Sequence, residues 1–492
     1  MRIEPALEAF ESPFLALNEE VVLYVNNYRA VWEQGTDLEG DERHLRVLLD
    51  QCRTVEQRIH NRASRTSTSL SLTFRLARLR QHLARLEDVL TLLSNLLHPQ
   101  GHIEARPQAV KLFKCFVQAQ CRKNMLSDYW TQCLSLLSLR ITENAGRTGE
   151  HYITETRREY FGLFASAAGA GFIIAILAAI KLWIGLFHLP PLIQAWLICL
   201  NYGLGFVFIH MLHFTVATKQ PAMTANTLAA SISETKAGEK SDPAGLIALS
   251  ARTVRSQIAA ILGNVCIAAP FAYLCGHLFS YGFGDSFITQ SKAEKLLTEI
   301  NPWHTGSLFY AALAGICLFL SGLIAGYVDN LFAYNKIPER LRVWPLAKRW
   351  FSEKRIDHFA NYISQNAGAL ASNFLFGVML GSVSAFDKLL GIPVDIRHIA
   401  FSSANLGYGL QTLEGPISTS LLWPALLGIA LIGLVNLIVS FYLALNVAMR
   451  ARGLPFKQHR LLLKAVFKAF IAQPRLFLLP PKPQNDVDES ST

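Results

Sequence analysis

Polar residues inside hydrophobic stretches are the first candidates for chemistry in this chain. Lys181 lies near one end of such a stretch, and His210 and His213 lie near the end of the next one. A charged group at membrane depth is costly, so it is a functional hypothesis by default. The histidines are three residues apart, which predicts one helix face suited to a proton relay or a metal. The alternatives are interfacial hydrogen bonding for the histidines and snorkelling of Lys181 to the headgroups.

A second group of candidates stands where the second hydrophobic stretch ends. Lys219, Gln220 and Pro221 open an Ala/Thr/Ser-rich run that continues to Ser231. The ammonium and the amide could meet anionic lipid, a nucleic-acid phosphate or an anionic solute. Pro221 suits the first turn of a helix. This run, like a second polar run at 397–412, is predicted to be either a re-entrant helix beside a polar cavity or a surface helix.

The elements that position these residues follow from hydropathy. The chain has 492 residues, of which 51% are hydrophobic and 17% charged. Crossing about 30 Å of hydrocarbon takes roughly 20 apolar residues in a helix. Six stretches qualify, at 161–186, 192–217, 258–283, 308–328, 368–386 and 421–447. The predicted fold class is therefore all-α: a polytopic helical membrane protein with a membrane domain at 156–450.

The distribution of Lys and Arg predicts the orientation of the spans. Basic residues crowd the loops on one side, whereas the other side has only Lys292, Lys295, Lys388 and Arg397. Lys and Arg near span ends are retained in the cytoplasm. We therefore predict a multi-pass protein of a bacterial inner membrane with both termini in the cytoplasm, ending in a basic helix and disordered tail at 451–492. The lipid bilayer is its first predicted partner.

Residues 1–155 are predicted to form a cytoplasmic helical domain. Leucines recur at spacings of three and four over 70–98, which predicts a long coiled-coil-like helix. It would pack in a bundle within its own chain or, alternatively, form a dimer, so a homo-oligomer stays open. A further helix is predicted at about 107–141. Ten arginines at 43–85 could bind DNA or anionic headgroups, or could neutralise the acidic residues of 1–42.

Several segments outside the hydropathy pattern carry a family resemblance. They are Gly149-Glu-His-Tyr-Ile-Thr154, Asn201-Tyr-Gly-Leu-Gly205, Ala217-Thr-Lys-Gln-Pro-Ala-Met-Thr224, Gly326-Tyr-Val-Asp-Asn330, Ile337-Pro-Glu-Arg340, Asp395-Ile-Arg-His398 and Phe401-Ser-Ser-Ala-Asn405. They resemble the bacterial membrane family of site-specific recombinases, of the gonococcal crossover recombinase type. The resemblance implies a role in DNA recombination. The candidate functional residues within these segments are Asn201, Asp329, Asn330, Arg397, His398 and Asn405.

The residues themselves form no recognisable catalytic constellation. Strand exchange needs a Tyr or Ser nucleophile with an arginine cluster around the scissile phosphate. Carboxylates for a metal-dependent nuclease are predicted on opposite sides of the membrane, Asp329 inside and Asp395 outside. We predict no cofactor and no metal site. Three functions stay open: a DNA-acting membrane protein, a transporter or channel for a small solute, and a membrane scaffold or envelope-maintenance protein.

Overall fold

The computed structural model describes the greater part of the chain. The described residues are 5–34, 41–65, 70–97, 101–121, 138, 141–142, 153–187, 189–219, 221–236, 243–391, 394–413, 419–452 and 456–480. Within these ranges the regular structure is entirely helical. The chain divides into two compact units, Met1–Arg140 and Ile141–Thr492, which we call the N-terminal unit and the membrane domain.

The N-terminal unit has four long helices among its described residues. They are α1 (Pro5–Gln34), α2 (Asp41–Arg65), α3 (Leu70–Leu97) and α4 (Gly101–Cys121). Helix α3 covers the range of the predicted leucine-rich helix, and Leu83 and Leu90 on its face are buried against Leu17 of α1 and Leu49 of α2. The helix predicted at 107–141 begins earlier, at Gly101, and residues 122–137 lie outside the described ranges.

The described part of the membrane domain contains both long and short helices. They are α5 (Arg157–Leu186), α6 (Pro191–Met211), α7 (Pro221–Lys236), α8 (Pro243–Phe283), α9 (Gln290–Thr298), α10 (Ser307–Tyr334), α11 (Ile337–Val343), α12 (Pro345–Trp350), α13 (Glu353–Leu390), α14 (Ile399–Thr412), α15 (Thr419–Ala451), α16 (Phe456–Ala472) and α17 (Pro474–Leu478). Six of them, α5, α6, α8, α10, α13 and α15, are long and apolar enough to cross a membrane. The six predicted spans are thereby confirmed by length and composition.

The second span is shorter than predicted. Helix α6 ends at Met211 instead of residue 217. His213 (φ 58°) and Thr218 (φ 65°) have left-handed backbone conformations, which an α-helix cannot contain. The prediction that His210 and His213 share a helix face is therefore wrong, because only His210 belongs to the helix.

Close helix crossings depend on glycines. Helix α5 packs against α8, α10 against α15, and α6 against α13. A Cβ added at Gly377 of α13 would lie 2.4 Å from the carbonyl oxygen of Tyr202, and one at Gly381 would lie 2.8 Å from the Cα of Cys199. The backbones can approach this closely only because both residues lack side chains. The Gly377/Gly381 pair thus serves packing within the chain.

Helix α14 lies in the interior of the membrane domain. Twelve of its fourteen residues are buried. It packs against α8, α9, α5 and α15, and Gly407 comes so close to α8 that an added Cβ would lie 2.1 Å from the carbonyl oxygen of Ala269. The surface-helix alternative for 397–412 is therefore wrong. Helix α7, which contains the other polar run, also has buried residues. Thr224, Asn226 and Leu228 are among them.

Candidate functional site

Two non-helical segments run through the interior of the membrane domain. The first interior segment, 212–219, joins α6 to the chain before α7, and the second interior segment, 394–398, leads into α14. Residues 215–219 of the first and Arg397 and His398 of the second are buried. Non-helical backbone at membrane depth must find hydrogen-bond partners within the protein. In both segments an asparagine of a neighbouring span supplies them.

Asn264 of α8 holds the first interior segment. Its Nδ2 donates to the carbonyl oxygens of Ala167 (2.8 Å) and Thr215 (3.0 Å), and its Oδ1 accepts from the N–H of Ala217 (3.3 Å). The N–H of Thr215 also donates to the carbonyl oxygen of Ser166 (3.3 Å). The segment is thus tied to both α5 and α8.

Asn436 of α15 holds the second interior segment in the same way. Its Nδ2 donates to the carbonyl oxygens of Ala311 (2.8 Å) and Arg397 (3.1 Å), and its Oδ1 accepts from the N–H of Ile399 (3.1 Å). The N–H of Arg397 donates to the carbonyl oxygen of Tyr310 (3.3 Å). Each of these four bonds has a counterpart around Asn264.

The matched bonds divide the membrane domain into two equivalent halves. The first half is α5 to α8 and the second is α10 to α15; each has two spans, an interior segment, a short helix and a third span. The spans that accept from the asparagines have similar sequences, Ala-Ala-Gly-Ala-Gly at 167–171 and Ala-Ala-Leu-Ala-Gly at 311–315. Each short helix packs against the last span of the other half, α7 against α15 and α14 against α8.

Lys219, at the end of the first interior segment, is buried with only 7% of its surface exposed. Its Nζ donates to Asn373 Oδ1 (2.6 Å) and Ser372 Oγ (3.3 Å), both on α13, and lies 5.9 Å from the ring centroid of Phe376. No carboxylate forms an ion pair with it in the part of the chain that the structure describes. A buried ammonium without a counter-charge is costly and needs a functional explanation.

The two interior segments meet at Thr218 and His398. Thr218 Oγ1 donates to the carbonyl oxygen of Ala217 (2.6 Å) and lies 3.4 Å from His398 Nε2. The other ring nitrogen of His398, Nδ1, and the Oγ of Ser402 are buried and have no hydrogen-bond partner among the described residues. Two runs that the sequence placed at opposite membrane faces therefore share one interior region.

A chain of aromatic rings borders this region. Tyr202 packs on Phe401 with ring centroids 4.4 Å apart, Phe401 lies 6.1 Å from Phe206, and Phe206 lies 5.0 Å from Phe376. Lys219 Nζ lies over Phe376, and at the other end of the chain Lys181 Nζ lies 5.9 Å from the ring centroid of Tyr202. Continuous ring contacts thus join the two lysines.

Lys181 faces a cavity of about 200 Å³, which we call the basic cavity. Its polar lining residues are Lys181, Gln194, Lys292, Lys295, Glu299, Asp395, Arg397 and Asn405. Arg397 forms ion pairs with Asp395 (2.6 Å) and Glu299 (3.0 Å) inside this lining. Both halves contribute, because Lys181 and Gln194 belong to the first and Arg397 and Asn405 to the second.

Three of the remaining candidates predicted from the sequence have bonds that join elements of the domain. His210 Nε2 lies 3.3 Å from Asn366 Oδ1, and Asn201 Nδ2 donates to the carbonyl oxygen of Leu177 (3.0 Å). Asp329 Oδ1 accepts from the N–H of Gly368 (2.8 Å), and Asn330 is buried. Helix α7 begins at Pro221, as predicted, whereas Gln220 lies outside the described residues.

Sequence reasoning missed the residues that organise the site. Asn264 and Asn436 are amides surrounded by apolar residues within their spans, and such a polar residue is itself a signal. Asn373 is the third amide of this kind, and it bonds Lys219. Helix α9, which supplies Lys292 and Lys295 to the basic cavity, was treated only as an outer loop.

Comparison with known proteins identifies the family of the chain. No curated protein and no solved structure matches the sequence. The family model described as site-specific recombinase matches residues 1–480. Because this match covers nearly the entire sequence, the chain belongs to the site-specific recombinase family.

Proposed function

We propose that the membrane domain is a carrier for a small solute, built from two halves of opposite orientation. The observation that carries this proposal is the matched set of four hydrogen bonds that hold each interior segment, three from Asn264 or Asn436 and one between backbone groups. Discontinuous helices at a repeat interface form the solute sites of many secondary transporters.

The opposite orientation follows from the number of spans. Each half contains three helices that can cross a membrane. After an odd number of crossings the chain emerges on the face opposite to the one from which it started. The second half therefore begins on the face opposite to the first. Two interior segments that enter from opposite faces then meet at one depth, which accords with the contact of Thr218 with His398.

The polar groups at this meeting point suit a solute site. Lys219 offers a buried ammonium, His398 Nδ1 a ring nitrogen without a partner among the described residues, and Ser402 Oγ a hydroxyl. Buried polar atoms left without partners are expensive, and a bound solute would relieve that cost. The proposal thus places solute between α13 and α14.

Alternating access can be tested without knowing the solute. In a variant whose native cysteines are replaced by alanine, Ser402→Cys should react with a membrane-impermeant thiol reagent added to either side of sealed vesicles. Ser440→Cys is the matched control, because Ser440 is equally buried but its hydroxyl donates to the carbonyl oxygen of Leu437 in its own helix. Labelling of Ser402→Cys from one side alone, or from neither side, would overturn the carrier proposal.

The second candidate is DNA recombination, which family membership favours. Exposed arginines on α2 and α3 of the N-terminal unit support it; among them are Arg43, Arg58, Arg75, Arg78 and Arg85. Other basic residues are neutralised within the unit, since Arg80 pairs with Glu56 and Arg53 donates to Glu87, holding the pKa of that carboxyl below its usual range. The exposed set would contact phosphates.

A binding measurement separates this candidate from the carrier. Full-length protein in nanodiscs should bind a DNA duplex, and five phosphate contacts would lower affinity by about 500-fold between 50 and 200 mM salt. Arg75→Glu with Arg78→Glu should weaken binding, whereas Lys348→Glu, an exposed charge of the membrane domain, should have little effect. Absence of both salt-dependent binding and DNA cleavage would refute the DNA role.

Localisation is part of the same proposal. We place the protein in a bacterial inner membrane with both termini and the N-terminal unit in the cytoplasm, because the basic loops of the six-span arrangement lie on one side. Reporter fusions at Glu294 and Gly391 should report the periplasm. A cytoplasmic signal at Glu294 would contradict this orientation.

A further inference from the structure

We propose that the basic cavity binds a compact oxyanion, of the carboxylate or phosphate class, and that Lys181 is its principal binding residue. As an entrance for transported solute the site rests on the proposed carrier function. As a binding site it stands on its own geometry.

The charges around the cavity are unbalanced. Four basic side chains and two carboxylates line it, a formal excess of two positive charges. Both carboxylates are already engaged, since Asp395 and Glu299 pair with Arg397, and Glu299 also lies 3.8 Å from Lys295. No carboxylate forms an ion pair with Lys181 among the described residues; its ammonium instead lies over the Tyr202 ring. An anion is the ligand that would complete this charge arrangement.

The size and the donors of the cavity narrow the ligand class. A volume of about 200 Å³ holds roughly six or seven waters, which suits a compact ion and excludes a nucleic-acid strand. The amides of Gln194 and Asn405 add hydrogen-bond donors beside Lys181. The two terminal nitrogens of the Arg397 guanidinium already pair with carboxylates. Recognition of the anion therefore depends on the charge of a lysine ammonium and on the size of the cavity more than on a bidentate contact.

The anion could be free in solution or could be the phosphate of a lipid headgroup. Lys181 lies near the end of α5, where a headgroup could approach, and the sequence left snorkelling open for this residue. Both sources present the same oxyanion chemistry to the ammonium. Experiments in different lipid surroundings distinguish them.

The first measurement is binding of inorganic phosphate to full-length protein in a neutral detergent. At constant ionic strength, phosphate should raise the thermal unfolding midpoint in a saturable manner relative to chloride. Lys181→Gln should raise the Kd for phosphate by roughly tenfold or more, the effect of losing one charge-assisted hydrogen bond. Asn405→Leu should raise this Kd by a smaller factor. Lys348→Gln, outside the cavity, is the matched control and should leave the Kd unchanged.

The second measurement repeats the titration in nanodiscs of phosphatidylcholine with and without phosphatidylglycerol. Equal phosphate binding in both identifies a free anion, and loss of phosphate binding when phosphatidylglycerol is present identifies a headgroup; both results support the site. No saturable phosphate effect in detergent, or an unchanged Kd in a Lys181→Gln protein that melts normally without ligand, would overturn it.

Failure of this inference is distinguishable from failure of the carrier proposal. Phosphate binding without two-sided labelling of Ser402→Cys would leave an anion site on a protein that is not a carrier. Two-sided labelling without phosphate binding would leave a carrier whose basic cavity does not bind an oxyanion.

Discussion

The first and second halves of the membrane domain hold their interior segments by the same four hydrogen bonds, but the segments end differently. In the second half, α14 begins at Ile399, the residue whose N–H is bonded to Asn436. In the first half, the equivalent residue is Ala217, and α7 begins only at Pro221. The intervening turn contains Thr218 in a left-handed conformation and the buried Lys219.

This difference distinguishes the residues that support the structure from those that carry unusual chemical groups. The bonds common to both halves satisfy backbone groups that would otherwise be unpaired at membrane depth. The residues that differ carry the unusual groups: Lys219 in the first segment, and Arg397 and His398 in the second. We therefore expect changes at the shared positions to reduce stability and changes at the unmatched positions to alter function.

The largest effect is expected from replacing either asparagine. Asn264→Leu and Asn436→Leu each remove the partner of one carbonyl and one N–H of an interior segment, and also one bond to a helical carbonyl, so each should lower the free energy of unfolding by about 3 kcal/mol or more. Denaturant titration of purified protein measures this. Asn446→Leu is the control, since its amide bonds only to Tyr442 in its own helix, and it should change stability by about 0.5 kcal/mol at most. A large effect at one asparagine alone would refute the equivalence of the halves.

A smaller effect is expected at the glycines that face the two asparagines. A Cβ at Gly171 would lie 2.6 Å from the carbonyl oxygen of Asn264, and one at Gly315 would lie 2.8 Å from the Cβ of Val439. Gly171→Ala and Gly315→Ala should each destabilise the protein by about 1–3 kcal/mol through overpacking. Gly162→Ala, with open space around it, should be neutral or stabilising by up to about 1 kcal/mol. Equal melting temperatures for all three variants would show that the crossings are looser than they appear.

The sequence predicted the elements of the fold but not how they meet. Six spans and the leucine-rich helix α3 follow from composition and spacing, which are local properties. The bond between Asn264 and Thr215 joins residues 49 positions apart, and its counterpart joins residues 39 apart, so no local pattern indicates either. His213 was assigned to a helix because its surroundings are apolar, although its backbone is left-handed.

The same contrast applies to the candidate residues, which the sequence indicated one by one but not as a group. The polar runs drew attention to Lys219, Arg397, His398 and Asn405, all of which lie in the interior region or line the basic cavity. Their grouping could not be predicted, because positive charge near span ends assigned Lys219 and Arg397 to opposite faces. Charge alone does not indicate interior segments, in which a segment that enters from one face can reach residues of a segment that enters from the other.

The smallest change in stability, but a loss of function, is expected at Lys219. It stands four residues after Thr215, and the residue four after Arg397 in the matched segment is Phe401. The second half thus has an apolar side chain at the corresponding sequence position, although Phe401 lies in α14 and Lys219 in the turn before α7. Lys219→Met should therefore fold: it deprives Asn373 Oδ1 of its donor but also removes a buried ammonium without a counter-charge, and these effects oppose each other within about 1 kcal/mol.

Function should respond differently. In the Ser402→Cys background, Lys219→Met should slow two-sided thiol labelling by about tenfold or more, because the charge-assisted bonds to Asn373 and Ser372 are lost. Lys219→Arg should slow it as well, since a planar guanidinium cannot replace a compact ammonium between those two acceptors. The rule that Lys and Arg near span ends stay in the cytoplasm depends on charge and not on side-chain geometry. If Lys219 served only as a topological anchor, the Lys219→Arg variant would therefore be labelled at the normal rate. Normal labelling in both variants would therefore remove Lys219 from the solute site and leave the contact of Thr218 with His398 as its centre.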